Sequence, residues 1–546
     1  MKILFLIPPN MAFGDFVNPP GNTKVSYKNG VEYGSLITEM PLGVISLSAY
    51  LKKHIDCDIK IIDFNVEMSK AESFDFKSYH DYFNYSIAKF KDNDFDIIGI
   101  SSLFSTAYTN TIILSEICRN IFSEALILAG GNVPTVAYKD IFDDTDSIDA
   151  ICYGEGDIPI LNLVKSENMH NHIKLDNSWI TKEKLGFGNT CFTHNFIENL
   201  DEIPFDYSLI NKEDYYINPT INSYQGWTSA DKSFNIMTSR GCPFKCVFCA
   251  SHATHGRKMR YESIDRVKSN ILSMKKNGIE VIVFQDDHFM GDKKRALEIV
   301  KFVASEKLSA FFPNSLALYA LNREMLQALK DANVHQLILA VESGSDRVLK
   351  HVMRKPLKLD IVRRVAMDCR EIGIYTDCNI VMGLPGETKA DIEETREFLK
   401  TLKANWFRIN IATPLLGSEM NDIVVENNFL EGDLKDSNYK KAIVETDDWS
   451  AEYIQDVTYD INIDVNFIHN ADMDLGNYYD AIEGFNNVLH AKPDHAIAFY
   501  CLSLCYKKLN MIEESQDSED KYNLYSTNPF WKKFIKKHNL PELIAS

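Results

Sequence analysis

The sequence predicts an α/β protein with a Rossmann-like (flavodoxin-like) domain first, a partial (β/α)6 barrel second and a small α-helical domain last. Short apolar runs alternate with helix-length segments over residues 1–165, and the same alternation resumes over residues 231–425. Strands that alternate with helices form parallel sheets covered by helices. Residues 466–546 show helical patterns without strands, which predicts the α-helical domain at the end.

The composition is that of a folded globular protein and argues against a nucleic-acid-binding, a membrane-spanning or a disulfide-rich protein. Hydrophobic residues make up 45% and charged residues 25% of the 546 positions, an ordinary globular balance. The net charge of -19 disfavours nucleic acid as a partner, because carboxylates repel phosphates. No apolar run approaches the roughly 20 residues that span a bilayer. Eleven cysteines are too few for a disulfide framework, so we expect a cytoplasmic location.

The first domain is predicted to bind a ligand at one edge of its sheet. Ser101-Ser102, Gly130-Gly131-Asn132 and Gly154-Glu155-Gly156 each follow an expected strand. Ligands of open α/β sheets bind at these carboxyl ends, and no G-x-G-x-x-G follows the first strand, so a dinucleotide is not expected. The expected strands are residues 2–7, 59–63, 96–101, 125–129 and 150–152, with helices at 42–53 and 109–122.

The alternation is lost over residues 166–230, which we interpret as a linker, and returns in the barrel. Six strands make a partial barrel, whose functional residues should follow the strands. The expected strands are residues 234–238, 281–285, 310–315, 336–341, 375–382 and 406–411, and the helices are 263–276, 293–305, 322–331, 359–371 and 389–402. Residues 426–465 are predicted to be a linker or helical extension.

The last domain contains a pattern similar to a tetratricopeptide repeat. Leu475-Gly476-x-Tyr478-x-x-Ala481-x-x-x-Phe485 is followed by Pro493, and Asn510 lies 34 residues after Gly476. One such repeat does not bury its own apolar face. We therefore expect the tail to pack on the barrel or to bind a partner protein.

The strongest signal is a C-x3-C-x2-C run, formed by Cys242, Cys246 and Cys249, directly after the first barrel strand. Three thiolates on one tight loop can ligate three irons of a 4Fe–4S cluster and leave the fourth iron open. An open position is what a catalytic metal centre requires. The alternative is a zinc site that His252 or His255 would complete.

Weaker motifs follow the later barrel strands in order. They are Gln285-Asp286-Asp287, Glu342-Ser343, Gly383-Leu384-Pro385 and Thr413. A carboxylate such as Glu342 can accept hydrogen bonds from ribose hydroxyls, and glycine lets the backbone approach a ligand closely.

Taken together, the cysteine run and these motifs resemble the radical SAM superfamily, in which S-adenosylmethionine (SAM) coordinates the open iron. The resemblance implies that Phe248 contacts adenine. It also implies SAM contacts for Gln285, Asp286, Asp287, Glu342, Ser343, Gly383, Pro385 and Thr413.

The first domain resembles the cobalamin-binding module that is fused to radical SAM barrels. The residues that carry this resemblance are Pro8-Pro9, Met40-Pro41-Leu42-Gly43 and the three loops after the expected strands, at residues 101–102, 130–132 and 154–156. The implied cobalamin contacts are Pro9, Ser101, Ser102, Gly130, Gly131, Asn132, Gly154, Glu155 and Gly156.

One motif match is interpreted as a coincidence. Residues 286–291 spell D-x-H-x-x-G, which in other cobalamin proteins supplies a histidine lower ligand, His288 here. That motif belongs in the first loop of the cobalamin domain, where residues 10–14 contain no histidine. The resemblance therefore implies cobalamin without a histidine lower ligand.

The resemblance implies a methyltransferase that acts on an unactivated carbon through a 5′-deoxyadenosyl radical and methylcobalamin. Three alternatives stay open. The first is a ring closure or rearrangement, the second is a methylthiotransferase with another cluster on Cys57, Cys118 and Cys152, and the third is a scaffold that acts through its tail. The expected partners are a small-molecule, carrier-bound or peptide substrate, a flavodoxin- or ferredoxin-like electron donor and a protein bound by the tail.

Overall fold

The structure is a computed structural model that describes residues 1–19, 25–188, 191–215, 232–431 and 441–541. The end of the expected linker, residues 216–230, lies outside the described residues. None of the described helices is both long and apolar enough to cross a membrane.

The first domain is built on a six-stranded sheet with the strand order β4-β1-β5-β6-β7-β8. Neighbouring strands from β4 to β7 are parallel, and β8 is antiparallel to β7. Apart from a short hairpin, β2–β3, this is the flavodoxin-like order, so the predicted fold is confirmed. The strands are β1 (Lys2–Ile7), β2 (Val25–Lys28), β3 (Val31–Gly34), β4 (Asp58–Asp63), β5 (Ile97–Ser101), β6 (Leu126–Gly130), β7 (Ala150–Cys152) and β8 (Trp179–Ile180).

Helices cover both faces of this sheet, because alternate residues of β1 are buried on opposite sides. Leu4 and Leu6 belong to one apolar core, and Ile3 and Phe5 belong to the other. The helices are α1 (Phe13–Val17), α2 (Leu42–His54), α3 (Phe64–Lys70), α4 (Tyr79–Ala88), α5 (Tyr108–Ile121), α6 (Asn132–Val136), α7 (Tyr138–Asp144), α8 (Asp157–Lys165), α9 (Met169–Leu175) and α10 (Lys182–Gly186).

The barrel consists of two parallel three-stranded sheets, β9-β12-β13 and β14-β15-β16. Its strand order follows the sequence, with a break in the ladder between β13, which has three residues, and β14. An additional antiparallel ribbon, β10–β11, pairs Arg240 with Arg260. The strands are β9 (Ser233–Ile236), β10 (Ser239–Arg240), β11 (Arg260–Tyr261), β12 (Val281–Phe284), β13 (Ser309–Phe311), β14 (Gln336–Glu342), β15 (Tyr375–Met382) and β16 (Trp406–Ile411).

The barrel helices alternate with its strands, as the sequence predicts. They are α11 (Ser251–His255), α12 (Ile264–Lys276), α13 (Lys293–Ser305), α14 (Arg323–Asp331), α15 (Leu359–Ile372), α16 (Lys389–Thr401) and α17 (Glu419–Glu426).

The C-terminal region is helical and packs on the last barrel strand. The Trp406 ring of β16 lies 5.7 Å from Phe467 and 6.5 Å from Phe485. Its similarity to a tetratricopeptide repeat stays a prediction. The helices are α18 (Ala451–Ile463), α19 (Ala471–Asp474), α20 (Tyr478–Ala491), α21 (Ala496–Lys508), α22 (Ile512–Ser526) and α23 (Pro529–Lys537).

Candidate functional site

A cavity of about 1070 Å³ lies where the carboxyl ends of the two sets of parallel strands face each other. This volume is at the upper end of the range for small-molecule sites. Its walls include the loops after β5, β6 and β7, the segment after the third cysteine, and strand ends of the barrel. The loops that the sequence singled out in two separate domains therefore meet around one space.

The predicted site residues divide into two groups. Those on the cavity wall are Phe248, Cys249, Gln285, Asp287, Glu342, Ser101, Ser102, Gly130, Gly131, Asn132, Gly154, Glu155 and Gly156. The remaining predicted residues, Cys242, Cys246, Asp286, Ser343, Gly383, Pro385, Thr413 and Pro9, are not among the residues that line it.

Several residues of the second group have local structural contacts. Asp286 accepts hydrogen bonds from Thr238 and Ser239, and so joins the end of β12 to the base of the cysteine loop. The Ser343 hydroxyl is 3.1 Å from that of Thr395. The Gly383 amide donates to the Glu387 carboxylate at 2.7 Å.

The three predicted ligand cysteines lie on one loop, residues 241–259, that leaves β10 and returns in β11. Two of its own backbone bonds fold it, from the Cys249 amide to the Cys246 carbonyl at 3.2 Å and from the Cys242 amide to the Gly256 carbonyl at 3.3 Å. The Val247 amide donates to the Met353 carbonyl at 3.1 Å and fixes the loop to the barrel. All three thiols are half-buried.

The surroundings of two of these thiols favour the protonated form. Burial, together with the charges of Cys249, Asp287 and Cys246, raises the pKa of Cys242 to about 11. Burial also raises the pKa of Cys246. Three mutually interacting thiols need cationic iron to ionise together. Cys249 lies on the cavity wall, so a cluster held by this loop would border the cavity. In the described ranges, no three His, Cys, Asp or Glu side chains are arranged to hold a single metal ion.

On the barrel side, two carboxylates face the cavity beside this loop. Glu342 ends β14 with a φ of 69°, a conformation that costs free energy in a non-glycine residue and is frequent at functional sites. The Lys355 ammonium lies 3.1 Å from its carboxylate. Asp287 Oδ2 is buried and has no hydrogen-bond partner among the described residues. A polar ligand could satisfy it.

On the first domain's side, the loops after β5 and β6 form a close cradle. Gly131 has a φ of +96°, and a Cβ there would lie 2.6 Å from the Ser102 carbonyl oxygen. Ser102 is 1% exposed, and its hydroxyl has no partner among the described residues. A glycine cradle with an unpaired hydroxyl fits a large ligand that approaches the backbone closely.

Glu155 connects this cradle to the cysteine loop through a buried ion-pair network. Its carboxylate lies 3.0 Å from Arg240 and 2.6 Å from Arg260, and His255 Nδ1 is 2.8 Å away. Arg240 also pairs with Asp157 at 2.8 Å. Burial alone would raise the pKa of Glu155, but Arg240, Arg260 and His255 hold it well below its usual value. The sequence analysis gave neither arginine a role, although Arg240 lies only two positions before Cys242.

Four polar side chains at the barrel mouth were also missed: Glu39, Asn235, Asn314 and Asn379. Glu39, which precedes α2, accepts hydrogen bonds from Asn235 at 3.1 Å and Gln285 at 3.4 Å. Asn314 donates to the Gln285 carbonyl at 3.1 Å, and Asn379 of β15 also lines the cavity. Asn235 and Asn379 lie within the strands β9 and β15, and Asn314 follows β13. An amide in or just after an apolar strand is the signal that could have found these three.

The cysteines considered for a second cluster lie on opposite faces of the first sheet, with Cys118 and Cys152 buried and Cys57 half-buried. Cys118 of α5 belongs to one apolar core, whereas Cys57 and Cys152 belong to the other. Burial raises the pKa of Cys118 to about 12. The sheet separates these thiols, so the methylthiotransferase alternative lacks its second ligand set.

Comparisons with known proteins identify two families in the chain. The family model of the radical SAM superfamily matches residues 236–399, and that of the B12 binding domain matches residues 38–164. These matches confirm the predicted fold of a B12 binding domain followed by a radical SAM domain, and with it the expected cofactors, the cluster, SAM and cobalamin. The domain bounds stay a prediction.

Curated relatives cover most of the chain. An uncharacterized methyltransferase of Pyrococcus horikoshii is 28% identical over 436 residues, which are 79% of this chain and 84% of the relative. The cytidylyl-2-hydroxyethylphosphonate methyltransferase of Streptomyces wedmorensis is 26% identical over 463 residues, which are 78% of this chain and 86% of the relative.

Two solved structures share the fold at low identity. OxsB, a cobalamin-dependent S-adenosylmethionine radical enzyme solved with aqua-cobalamin, is 16% identical with a TM-score of 0.60, over 98% of this chain and 80% of OxsB. TsrM of Kitasatospora setae, a radical S-adenosylmethionine methyltransferase solved with cobalamin and an iron–sulfur cluster, is 13% identical with a TM-score of 0.56, over 78% of this chain and 75% of TsrM.

Proposed function

We propose that this protein, a radical SAM enzyme with a B12 binding domain, transfers a methyl group from cobalamin to an unactivated carbon of its substrate. The observation that carries the proposal is that loops of both domains line one shared cavity. A methyl donor held on one wall and a hydrogen-abstracting centre on the other would reach the same carbon. The methyltransferase names of two relatives that cover most of the chain support it.

The residues for each cofactor follow from the geometry of the site. Cys242, Cys246 and Cys249 would hold the cluster, and the predicted SAM contacts Asp287 and Glu342 face the same space. Ser102 and the Gly131 cradle would receive cobalamin. When bound, these cofactors would supply the electron for SAM cleavage and the transferable methyl group.

The chain's own contribution is placement and exclusion of water. The Glu155 network joins the loop after β7 to the base of the cysteine loop, so the two cofactor sites would keep a fixed separation. Amides at the barrel mouth, such as Asn235 and Asn379, offer hydrogen bonds that would orient a substrate. Fixed geometry is a large part of what a protein adds to cofactor chemistry.

We also propose a substrate class, two protein partners and a cellular location. The substrate would be a small molecule, either free or attached to a carrier or peptide. An electron donor of the flavodoxin or ferredoxin type would serve the cluster, and the helical tail would bind a protein partner. The scarcity of cysteines supports a cytoplasmic location.

The test uses anaerobically purified protein loaded with iron, sulfide and hydroxocobalamin, and SAM with a deuterated methyl group. With a reductant and an extract of the source cells, we expect 5′-deoxyadenosine and a product that carries the deuterated methyl group. Cys246→Ala should lose the cluster and SAM cleavage but keep cobalamin absorbance. The control is Cys191→Ala, at an exposed cysteine outside the loop. It should keep the cluster, SAM cleavage and the cobalamin absorbance.

Two results would contradict the proposal. SAM cleavage by Cys246→Ala would remove the assigned cluster site. A consumed substrate whose product contains no deuterium would instead indicate ring closure or rearrangement.

A further inference from the structure

Three side-chain amides at the barrel mouth have their NH₂ groups engaged by acceptors. Asn235 donates to a carboxylate oxygen of Glu39 at 3.1 Å, and Gln285 donates to the same oxygen at 3.4 Å. Asn314 donates to the backbone carbonyls of Gln285 and Asp286, at 3.1 and 3.4 Å. The three amides and Glu39 all line the cavity, and we call these four side chains the acceptor cluster.

The partners of the three amides decide which end of each amide group faces them. A carboxylate and a backbone carbonyl only accept hydrogen bonds. Each amide must therefore turn its NH₂ group toward its partner, and its oxygen lies on the other side. The side-chain oxygens of Asn235, Gln285 and Asn314 accept no hydrogen bond from a described residue. They are acceptors that a ligand in the barrel mouth could use.

The acceptor cluster is assembled from both domains. Glu39 precedes α2 of the first domain, whereas Asn235 lies in β9 of the barrel. Gln285 follows β12 and Asn314 follows β13. The two hydrogen bonds to Glu39 span 196 and 246 positions of the chain. The carboxylate of one domain therefore orients amides of the other, exactly where the two domains enclose the cavity.

Four other carboxylates of the cavity wall have a cationic partner or a predicted cofactor. Glu155 and Asp157 pair with Arg240, at 3.0 and 2.8 Å. Asp287 and Glu342 are the carboxylates that are predicted to contact SAM. Glu39 belongs to neither group, so its negative charge is available to the substrate.

The cations of the wall do not offset this charge at the barrel mouth. The described residues of the wall include two arginines, Arg240 and Arg266, and no lysine. Arg240 belongs to the Glu155 network. Arg266 of α12 donates to the Ile203 carbonyl at 2.7 Å. An anionic substrate group at the acceptor cluster would therefore meet a carboxylate and amide oxygens, which costs free energy.

We propose that the acceptor cluster binds a protonated amine of the substrate. The inference rests on the proposed function, because the amine belongs to the molecule whose carbon receives the methyl group. An ammonium group has three N–H donors and no acceptor, so it matches a surface of oxygen atoms. The Glu39 carboxylate supplies the opposite charge, and hydrogen bonds between ionised groups are the stronger ones.

Other polar groups match the acceptor cluster less well. A hydroxyl group donates one hydrogen bond and also accepts, so it would leave most of the amide oxygens unpaired. A phosphate or carboxylate only accepts and would be repelled by Glu39. A site discriminates strongly when the wrong ligand leaves its buried polar groups without partners. We therefore expect the enzyme to select substrates that carry an amine.

The experiment sorts the small molecules and peptides of a source-cell extract by their amines. A strong cation exchanger at acidic pH retains compounds with a basic amine and passes compounds without one. Part of the retained fraction is then acetylated, which converts its amines into uncharged amides. The full, cofactor-loaded protein is incubated with each fraction, a reductant and SAM with a deuterated methyl group. The variant is Glu39→Gln, and the matched control is Glu72→Gln, at an exposed carboxylate of the first domain.

We expect the wild type to form a deuterated product from the retained fraction and none after acetylation. In Glu39→Gln, the amount of this fraction that gives half the maximal rate should rise about tenfold or more, because the amine loses its counter-charge. The maximal rate should change little. The affinity for SAM, the cobalamin absorbance and the electron paramagnetic resonance (EPR) signal of the reduced cluster should stay unchanged. Glu72→Gln should behave as the wild type does.

A deuterated product from the amine-free fraction, or from the acetylated one, would overturn the amine site but leave methyl transfer intact. An unchanged half-saturation in Glu39→Gln, or an equal change in Glu72→Gln, would also overturn it. A weaker affinity of Glu39→Gln for SAM would assign the acceptor cluster to the ammonium group of SAM instead. If 5′-deoxyadenosine forms but neither the fractions nor the whole extract yield a deuterated product, the proposed function itself fails.

Discussion

Glu155 shows how one buried carboxylate links two loops that the sequence places far apart. Its partners Arg240 and Arg260 are 85 and 105 positions away in the chain. Removing one member of such a network leaves a buried charge without its partner, which is strongly destabilising. The loop after β7 and the cysteine loop should therefore move as one body.

Gly131→Ala tests the cradle at the scale of one residue. A Cβ would lie 2.6 Å from the Ser102 carbonyl oxygen at a φ of +96°, so the loop must shift. We expect cobalamin affinity to fall at least tenfold, while the cluster content stays unchanged. Gly14→Ala, where a Cβ meets nothing within 4 Å, should bind cobalamin as the wild type does. Titration by absorbance measures both, and equal affinities would contradict the cradle.

At this scale, local spacing decides what the sequence can predict. Three cysteines within eight positions are recognisable because one metal cluster requires them on one loop. The partners of Glu155 were not predictable, because their meeting depends on how two domains pack. Glu155 itself was expected to contact cobalamin, which stays a prediction, and the network now gives its carboxylate a second role.

Among the elements, the strands that could be predicted are apolar runs followed by a helical pattern. This holds for the strands of the first sheet from β4 to β7 and for the six parallel barrel strands. The hairpin β2–β3 and the strand β8 lack this signal, because the hairpin strands are partly exposed and pair directly with each other and β8 has only two residues. Residues 169–186, within the expected linker, form α9, β8 and α10 and extend the first domain.

The helical tail is attached to the barrel by charge as well as by apolar contacts. Arg396 of α16 lies 2.7 Å from Asp460 and 3.0 Å from Asp464, and all three side chains are buried. Lys537 and His538, at the end of α23 and just after it, also reach Asp460, at 2.9 and 3.1 Å. This network connects three helices that are distant in sequence.

Arg396→Met should loosen the tail. Two buried carboxylates would lose their shared partner, a change that costs about 3–5 kcal/mol. We expect amide hydrogen exchange in α18 to accelerate by a hundredfold or more. Lys533→Ala removes an exposed pair with Asp456 and should change exchange little, since such pairs contribute about 0–1 kcal/mol. Equal effects of the two variants would contradict a structural role for the buried network.

The same network predicts a dependence on pH. Burial would raise the pKa of Asp460, but His538, Lys537 and Arg396 hold it well below its ordinary value. A lowered carboxylate pKa stabilises the fold above the unfolded value of about 3.9 and loses this effect as the pH falls through the folded value. The wild type should melt at a higher temperature than Asp460→Asn at pH 7, and the gap should narrow below about pH 4. A gap that is constant with pH would exclude this role.

In the whole molecule, two α/β units present the carboxyl ends of their strands to one another. Each unit alone was predictable, because ligand sites of parallel sheets lie at those ends. Their meeting around one cavity was not, since no local pattern encodes how domains are oriented. The amides at the barrel mouth and the Glu155 network became visible only with that orientation.

The central claim is that cobalamin and the cluster share this cavity, and EPR spectroscopy tests it most directly. One frozen sample of loaded protein should contain cob(II)alamin and the reduced cluster, and two reference samples should contain one of them each. We predict that the two unpaired electron spins interact, so that each signal is broadened or split and relaxes faster than in its reference. A spectrum equal to the sum of the two references would contradict the account.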